Sequence, residues 1–394
     1  MTKPEAGGSL LAVTALCAVG AEKAVSNELK KLGATLEEGG FGRIRFRTDI
    51  SGLYRSLMGL RAADRILLET TRYKAADFDE LFDGIKAVPW EDYIPPQMGI
   101  RISKVRTNRS ALSAETSIQA VVHKAAAERL CTKRRISRLP ENGNEAELRV
   151  YVEKDQASIL LDLSGDPLFK RGYRSSGGIA PLRETTAAAI ILLSGWRRKF
   201  PFYDPFCGSG TLAIEAALYA WDIAPGMGRR FALDKLLIAD KNTERTVREE
   251  FLGKVDFSRL VRIGGSDSDK AAVTVAKANL ERAIALTREK GKVNYPEESK
   301  LPVFKVLPME EAGAQGEEGF IITNPPYGRR LGDTAGAEKI YTEMGNLARR
   351  FPGWRLAVIT DHAGFESFFG NKADSCREIT NGAINLFLFQ YEKL

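Results

Sequence analysis

From about residue 166 onward, short apolar runs alternate with helical patterns, and each run ends in a loop rich in Gly, Asp or Pro. The runs are FYD (202–204), RIGGSD (262–267), VFKVL (303–307), GFIITN (319–324), WRLAVIT (354–360) and INLFLFQYE (384–392). Strands buried on both faces and joined by helices form a parallel, doubly wound sheet. That architecture confines ligands to the crevice beyond the carboxyl ends of the strands. The charged stretch 229–259 reads as an inserted helical segment.

The first 165 residues follow another style. LLAVTALCA, RIRFRT, ILLETTRYKA and GIRISKVRT read as strands. AEKAVSNELKKLG, ISGLYRSLMGL (capped by Asp49 or Thr48), FDELFDGIKAV and AETSIQAVVHKAAAERL read as helices. In the last of these, Ile118, Val121, Val122, Ala125 and Leu130 are expected to face inward. ELRVYVEKDQASILLDL reads as a hairpin turning at Lys154-Asp155. The expected division is therefore two small α+β units, 1–65 and 66–165, before an α/β unit at 166–394. The apolar stretch 10–19 has the length of a signal-peptide core. It leads at once into an amphipathic helix with Ala21, Val25, Leu29 and Leu32 on one face, so it reads as a buried first strand.

Four scattered cysteines and two histidines offer neither a disulfide framework nor a His-rich metal site, which suits a reducing, cytoplasmic setting. No apolar run approaches the roughly 20 residues of a membrane span. The net charge of +7 is concentrated: residues 101–140 hold ten Lys/Arg against two Glu. Such a stripe is the footprint of a nucleic-acid binder, although charge alone fits a solvated face equally well. Arg106, Arg109, Lys133, Arg134, Arg135 and Arg138 are its candidate phosphate contacts. Arg171 and Arg174 extend the set toward the α/β unit.

Four motifs carry chemistry. In PFYDPFCGSGTLAIEAALYA a strand ends at Asp204, Gly208 and Gly210 make a tight turn, and a helix starts near Thr211. The pattern lacks the third glycine of a dinucleotide site and the lysine of a phosphate loop. Asp-x-x-x-Gly-x-Gly with the acid at the strand end suits S-adenosylmethionine. In GGSDSD (264–269), Asp267, with Asp269 in reserve, can accept both ribose hydroxyls of a nucleoside. Asn324-Pro325-Pro326-Tyr327 is the most specific motif. A base amine is a poor nucleophile because its lone pair is delocalised into the ring. The Asn324 side-chain oxygen and the Pro325 carbonyl can each accept one amine N–H and so orient that lone pair. Pro325 and Pro326 fix the carbonyl, and Tyr327 can stack on the base. The fourth motif, LFKRGYR…IAPLRETTAAA, places charge beside this pocket and starts a helix near Pro181.

RGYR, APLRE, DPFCGSGTLAIEAA, GSDSD and NPPYGRRLG, in this order, resemble the bacterial THUMP-domain RNA methyltransferases. The nearest group is the amino-terminal-half type of the large-subunit (23S) rRNA guanine 2-amino methyltransferase. SALSAETSIQAVVHKAAAERL resembles the THUMP part, and residues 1–65 its ferredoxin-like companion. The resemblance implies a Rossmann-like class I domain, S-adenosylmethionine as cofactor, ribosomal RNA as partner, and no metal or obligate protein partner. It implies that Asp204, Phe206, Gly208, Gly210, Thr211 and Asp267 line the cofactor pocket. Pro181, Leu182 and Thr185 belong to the helix covering the methionine end. One departure stands out: in KVLPMEE, Pro308 occupies the place where relatives carry an acid for the adenine amine, with Glu310 nearby. A single methyltransferase unit is expected. A DNA or RNA adenine 6-amino methyltransferase fits Asn-Pro-Pro-Tyr equally well, and a non-catalytic RNA-binding assembly factor is the rival of another class.

Overall fold

The computed structural model describes residues 10–141, 143–174, 182–260, 262–288, 296–314, 316–326 and 334–394. The strands are β1 Leu11–Cys17, β2 Thr35–Leu36, β3 Arg43–Thr48, β4 Ala63–Lys74, β5 Gly99–Asn108, β6 Glu145–Glu153 and β7 Gln156–Asp162. They continue with β8 Phe202–Asp204, β9 Ile263–Asp267, β10 Val303–Val306, β11 Phe320–Thr323, β12 Arg355–Thr360, β13 Ser375–Asn381 and β14 Ile384–Tyr391.

These strands form two seven-stranded sheets. The second has the order β10-β9-β8-β11-β12-β14-β13. It is parallel from β10 to β12 and closes with antiparallel β14 and β13. The order reverses between β8 and β11, the topological switch point at which an open α/β sheet parts to admit a ligand. The parallel sheet expected from the alternating pattern is present, with every strand that pattern named. β2 and β13 were not legible. β2 is two residues long, and β13 (SCREITN) is an edge strand whose first four residues are exposed, so no apolar alternation marks it.

The first sheet has the order β2-β3-β1-β4-β7-β6-β5. β4 pairs antiparallel with β1 on one edge and β7 on the other, so the two small α+β units share one sheet. Alternation sorts its faces. Ile44, Phe46, Leu148, Val150 and Val152 are buried, whereas Arg43, Arg45, Arg149 and Tyr151 stay partly exposed and point the other way. The helices Glu22–Lys31, Ile50–Gly59 and Glu115–Arg134 contact this sheet. Asp49 caps the second of them by accepting from Gly52 N–H at 2.7 Å.

The β6–β7 hairpin turns where the sequence indicates. Lys154 and Asp155 both adopt positive φ, +53° and +60°, the requirement of a tight two-residue turn. Neither is glycine, and neighbours hold the strained pair. Asp155 accepts from Ala111 N–H at 2.7 Å and donates its own N–H to Ser110 Oγ at 3.0 Å, and its carbonyl accepts from Ala75 N–H at 2.8 Å.

The two sheets are joined by polar links and by one continuous apolar core. Arg61 donates to the Ile223 carbonyl at 2.7 Å, Gly226 N–H to Met58 O at 2.8 Å, and Thr380 and Val19 exchange two bonds. The inserted helix Lys241–Lys254 packs on Ile50–Gly59, with Arg55 paired to Glu250 at 2.9 Å. Arg171 corrects an expectation. It is 2% exposed, donates to the carbonyls of Leu168 and Arg61, and lies 3.6 Å from Glu215. Glu215 also accepts from Tyr173. With no face toward solvent, Arg171 cannot contact phosphate; it is a strut between the two units. Arg171→Ala leaves a buried carboxylate without its cation and is expected to cost about 3–5 kcal/mol in urea denaturation.

Candidate active site

The site is built from the carboxyl ends of β8, β9 and β11. β8 ends on Asp204, which is 2% exposed. One of its oxygens accepts from Phe206 N–H at 3.1 Å and from Thr323 Oγ at 2.6 Å. Burial pushes the Asp204 carboxyl up to about 7. The same loop holds Cys207, whose buried thiol is pushed up and therefore stays protonated and unreactive.

The glycines after Asp204 serve different ends. Both have positive φ, +51° at Gly208 and +84° at Gly210. A Cβ on Gly210 would sit 3.0 Å from Ala276 Cβ and 3.1 Å from Phe304, so this glycine lets helix Thr211–Ala220 pack tightly. A Cβ on Gly208 would meet nothing within 4 Å among the described residues, so this glycine keeps the backbone open to the crevice. Gly208 N–H donates to Asp267 Oδ2 at 2.9 Å, and Asp269 N–H to Asp267 Oδ1 at 2.9 Å. Asp267 is thus held by two backbone donors, each oxygen keeping a lone pair for a further one. Asp269 instead caps helix Lys270–Arg288 through Ala271 N–H.

Asn324 follows β11. It is 9% exposed, and its Oδ1 is buried with no hydrogen-bond partner among the described residues. An orphaned buried acceptor at the switch point is costly unless a ligand supplies a donor. Pro325 and Pro326 follow directly; Tyr327 and Pro181 lie outside the described residues.

Two residues expected to meet ligand have side chains committed to the protein. Arg174 donates to Thr211 Oγ at 2.6 Å and to the Leu182 carbonyl at 3.1 Å, and pairs with Glu184 at 3.6 Å. It braces two helix starts, not phosphate. Thr185 is buried and its hydroxyl donates to Asp64 at 2.5 Å, turned toward the first sheet and not the methionine end. Leu182 is buried, and its carbonyl accepts from Arg174. Glu310, two residues after Pro308, stands against Glu343, whose carboxyl it pushes up. Thr323 escaped sequence reasoning, though its place just before Asn-Pro-Pro-Tyr at a strand end was a usable signal.

In the basic segment, Arg134 is anchored, donating to the Ile94 carbonyl at 2.7 Å, and Arg106 is held by both oxygens of Glu115 at 3.1 Å. Arg109, Lys133, Arg135 and Arg138 are exposed. Arg135 and Arg138 border a groove of about 660 Å³ with His123 and Lys124.

Three family models match in this order: the RlmL ferredoxin-like domain at 12–67, the THUMP domain at 75–162, and the RMKL-like methyltransferase domain at 171–390. The last covers more than half of the chain. The chain belongs to this RMKL-like methyltransferase family. It is 35% identical to YpsC of Bacillus subtilis over 95% of this chain and 94% of YpsC. It is 34% identical to the ribosomal RNA large subunit methyltransferase K/L of Psychromonas ingrahamii over 92% of this chain, and spans about half the length of that relative (48%). The crystal structure of SMU.472 complexed with SAH superposes with a TM-score of 0.86 at 34% identity over 98% of both chains. The α/β class and the THUMP-family resemblance read from the motifs agree with these matches.

The Asp204 carboxyl generates a pH prediction. Its folded value lies above that of an unfolded aspartate, so the folded state holds the proton more tightly. Its destabilising contribution is absent at low pH, grows as pH rises from about 4 to about 7, and is constant above. Asp204→Asn, which keeps an acceptor for Thr323, is therefore expected to gain stability relative to the parent between about pH 5 and pH 8. Thermal unfolding of both across that range checks it; parallel curves would refute it.

Proposed function

We propose that this chain transfers a methyl group from S-adenosylmethionine to the exocyclic 2-amino group of a guanine in large-subunit ribosomal RNA. The observation that carries the reading is the buried Oδ1 of Asn324, which has no hydrogen-bond partner among the described residues and follows the strand end tied to Asp204. The crevice suits the cofactor: Gly208 leaves backbone space, and Asp267 keeps lone pairs for two ribose hydroxyls. When bound, S-adenosylmethionine supplies a methyl carbon on a sulfonium, which needs no further activation.

The chain's own task is then alignment. Asn324 Oδ1 accepts one amine N–H and the Pro325 carbonyl the other, turning the nitrogen lone pair toward the methyl carbon. Pro325 and Pro326 hold that carbonyl in place. Tyr327 stacks on the base. Asn324 also stabilises the positive charge that builds on the nitrogen, and the surplus proton leaves to water. Alignment of this kind is worth about 7–11 kcal/mol. Phe206, Gly210 and Thr211 shape the donor side of the pocket. Arg109, Lys133, Arg135 and Arg138 supply phosphate contacts, which fix position without reading sequence.

Ribosomal RNA is supported by the THUMP match and by what the K/L relatives are called. The adenine 6-amino reading uses the same Asn324 acceptor, so the base is decided by product analysis. Mass spectrometry of ribosomal RNA nucleosides from a deletion strain is expected to show loss of one N2-methylguanosine. Loss of an N6-methyladenosine instead would replace guanine by adenine. In single-turnover assays on saturating RNA, Asn324→Ala is expected to slow methylation roughly 10²–10³-fold with cofactor affinity nearly unchanged. A wild-type rate would place the chemistry elsewhere.

A further inference from the structure

The loop that follows β8 is held from a helix that no motif marks. Helix Lys270–Arg288 starts beside Asp267 and passes Gly210 at Ala276. Its buried residues are the apolar Val273, Ala276, Leu280, Ala283 and Ile284, with one polar exception among the described residues. That exception is Asn279, which is 0% exposed. A buried amide costs free energy unless its polar atoms are paired. Both ends of this one are. Asn279 Nδ2 donates to the Ser209 carbonyl at 2.9 Å, and its Oδ1 accepts from Arg282 Nη2 at 2.6 Å.

The Ser209 carbonyl and the Gly210 N–H belong to one peptide unit. The N–H donates to the Cys207 carbonyl at 2.8 Å, so the unit is gripped at both ends. It lies between the two glycines of positive φ, where the chain has most freedom to turn. The direction of its carbonyl matters. Aimed at the fully buried Asn279, the oxygen faces the interior. Flipped, it would put a partial negative charge at the start of helix Thr211–Ala220. The first N–H groups of a helix otherwise attract an anionic group, such as the carboxylate of the cofactor.

Arg282 decides which way the amide lies. A guanidinium only donates, so it selects the orientation with Oδ1 toward it and leaves the NH2 for the carbonyl. Arg282 is itself set by the Tyr173 carbonyl, which accepts from its Nε at 2.7 Å. Tyr173 belongs to the same run as Arg171 and Arg174, the residues that brace the junction of the two units. The line Tyr173–Arg282–Asn279–Ser209 carries orientation from that junction into the cofactor loop.

We propose that Asn279 is a positioning residue for the cofactor, with Arg282 orienting it. Together they lock the Ser209–Gly210 peptide in the conformation that accepts S-adenosylmethionine. The proposal deepens the methyl-transfer reading on its donor side. It rests on the crevice as the cofactor site and is independent of which base is methylated.

The test is calorimetry of S-adenosylhomocysteine binding to the full chain, with methylation kinetics on large-subunit ribosomal RNA from a deletion strain in parallel. Asn279→Asp keeps the shape of the side chain and an acceptor for Arg282, so the buried carboxylate has its cation and folding is retained. It has no donor for Ser209 and sets oxygen against oxygen. Its affinity for S-adenosylhomocysteine is expected to fall roughly 5- to 100-fold, the loss of one buried hydrogen bond. The KM for S-adenosylmethionine rises by a similar factor, more than kcat falls, and RNA affinity holds. Arg282→Met, at a half-buried site, weakens cofactor binding in the same sense but less, because the amide still reaches the carbonyl. A role in stability alone would lower the unfolding temperature of both variants and leave the cofactor affinity of the folded protein as it was. That result, or a fall in kcat with KM unchanged, would overturn the proposal. A parent chain that binds no S-adenosylhomocysteine would instead overturn the crevice reading itself.

Discussion

A hydrogen bond from the Thr323 hydroxyl to the Asp204 carboxylate at 2.6 Å links the two halves of the candidate active site. β8 and β11 are neighbours, but their ladder covers only Phe202 with Phe320 and Tyr203 with Ile321. Beyond that the strands part, as they must at a switch point if a ligand is to enter. The side-chain bond crosses the gap that the backbone leaves. It sets the strand end carrying Asn324 against the loop carrying Gly208, and so fixes acceptor geometry relative to donor geometry. A buried carboxylate is an expensive bridge, which its raised pKa reflects. A short, buried hydrogen bond from a hydroxyl offsets part of that cost.

Much of this was legible. Period and punctuation marked every strand of the parallel core, and the Asp204, Asp267 and Asn324 motifs each fall at a strand's carboxyl end as their loops implied. The Lys154-Asp155 turn was legible too, although its left-handed backbone depends on Ser110, Ala111 and Ala75, which no local pattern reveals. β13 was not legible, because an exposed edge strand has no apolar rhythm. Nor was the joining of two α+β units into one sheet, since strand pairing across the chain leaves no mark on either partner.

Arginines were the least legible residues. Arg171, Arg174 and Arg134 were all read as surface charge beside a basic stripe, yet each spends its donors on backbone carbonyls or buried acids. A planar fork with five N–H groups is as useful for tying chain segments together as for gripping phosphate. Sequence records the charge and not the direction in which it points.

The position of β4 also has a consequence for how the molecule is made. On the ribosome β1 and β3 emerge before β4, so β4 can pair with β1 as soon as it appears. Its other edge belongs to β7, which is synthesised only after β5, the long helix Glu115–Arg134 and β6. Through that interval a twelve-residue strand presents an open row of backbone donors and acceptors, the kind of edge that recruits foreign strands. Thr70, Arg72 and Lys74, polar residues in the stretch of β4 that β7 will cover, make that edge a poor template for aggregation while it waits. The strand shared by both units is thus also the point at which a nascent chain is most exposed to misassembly.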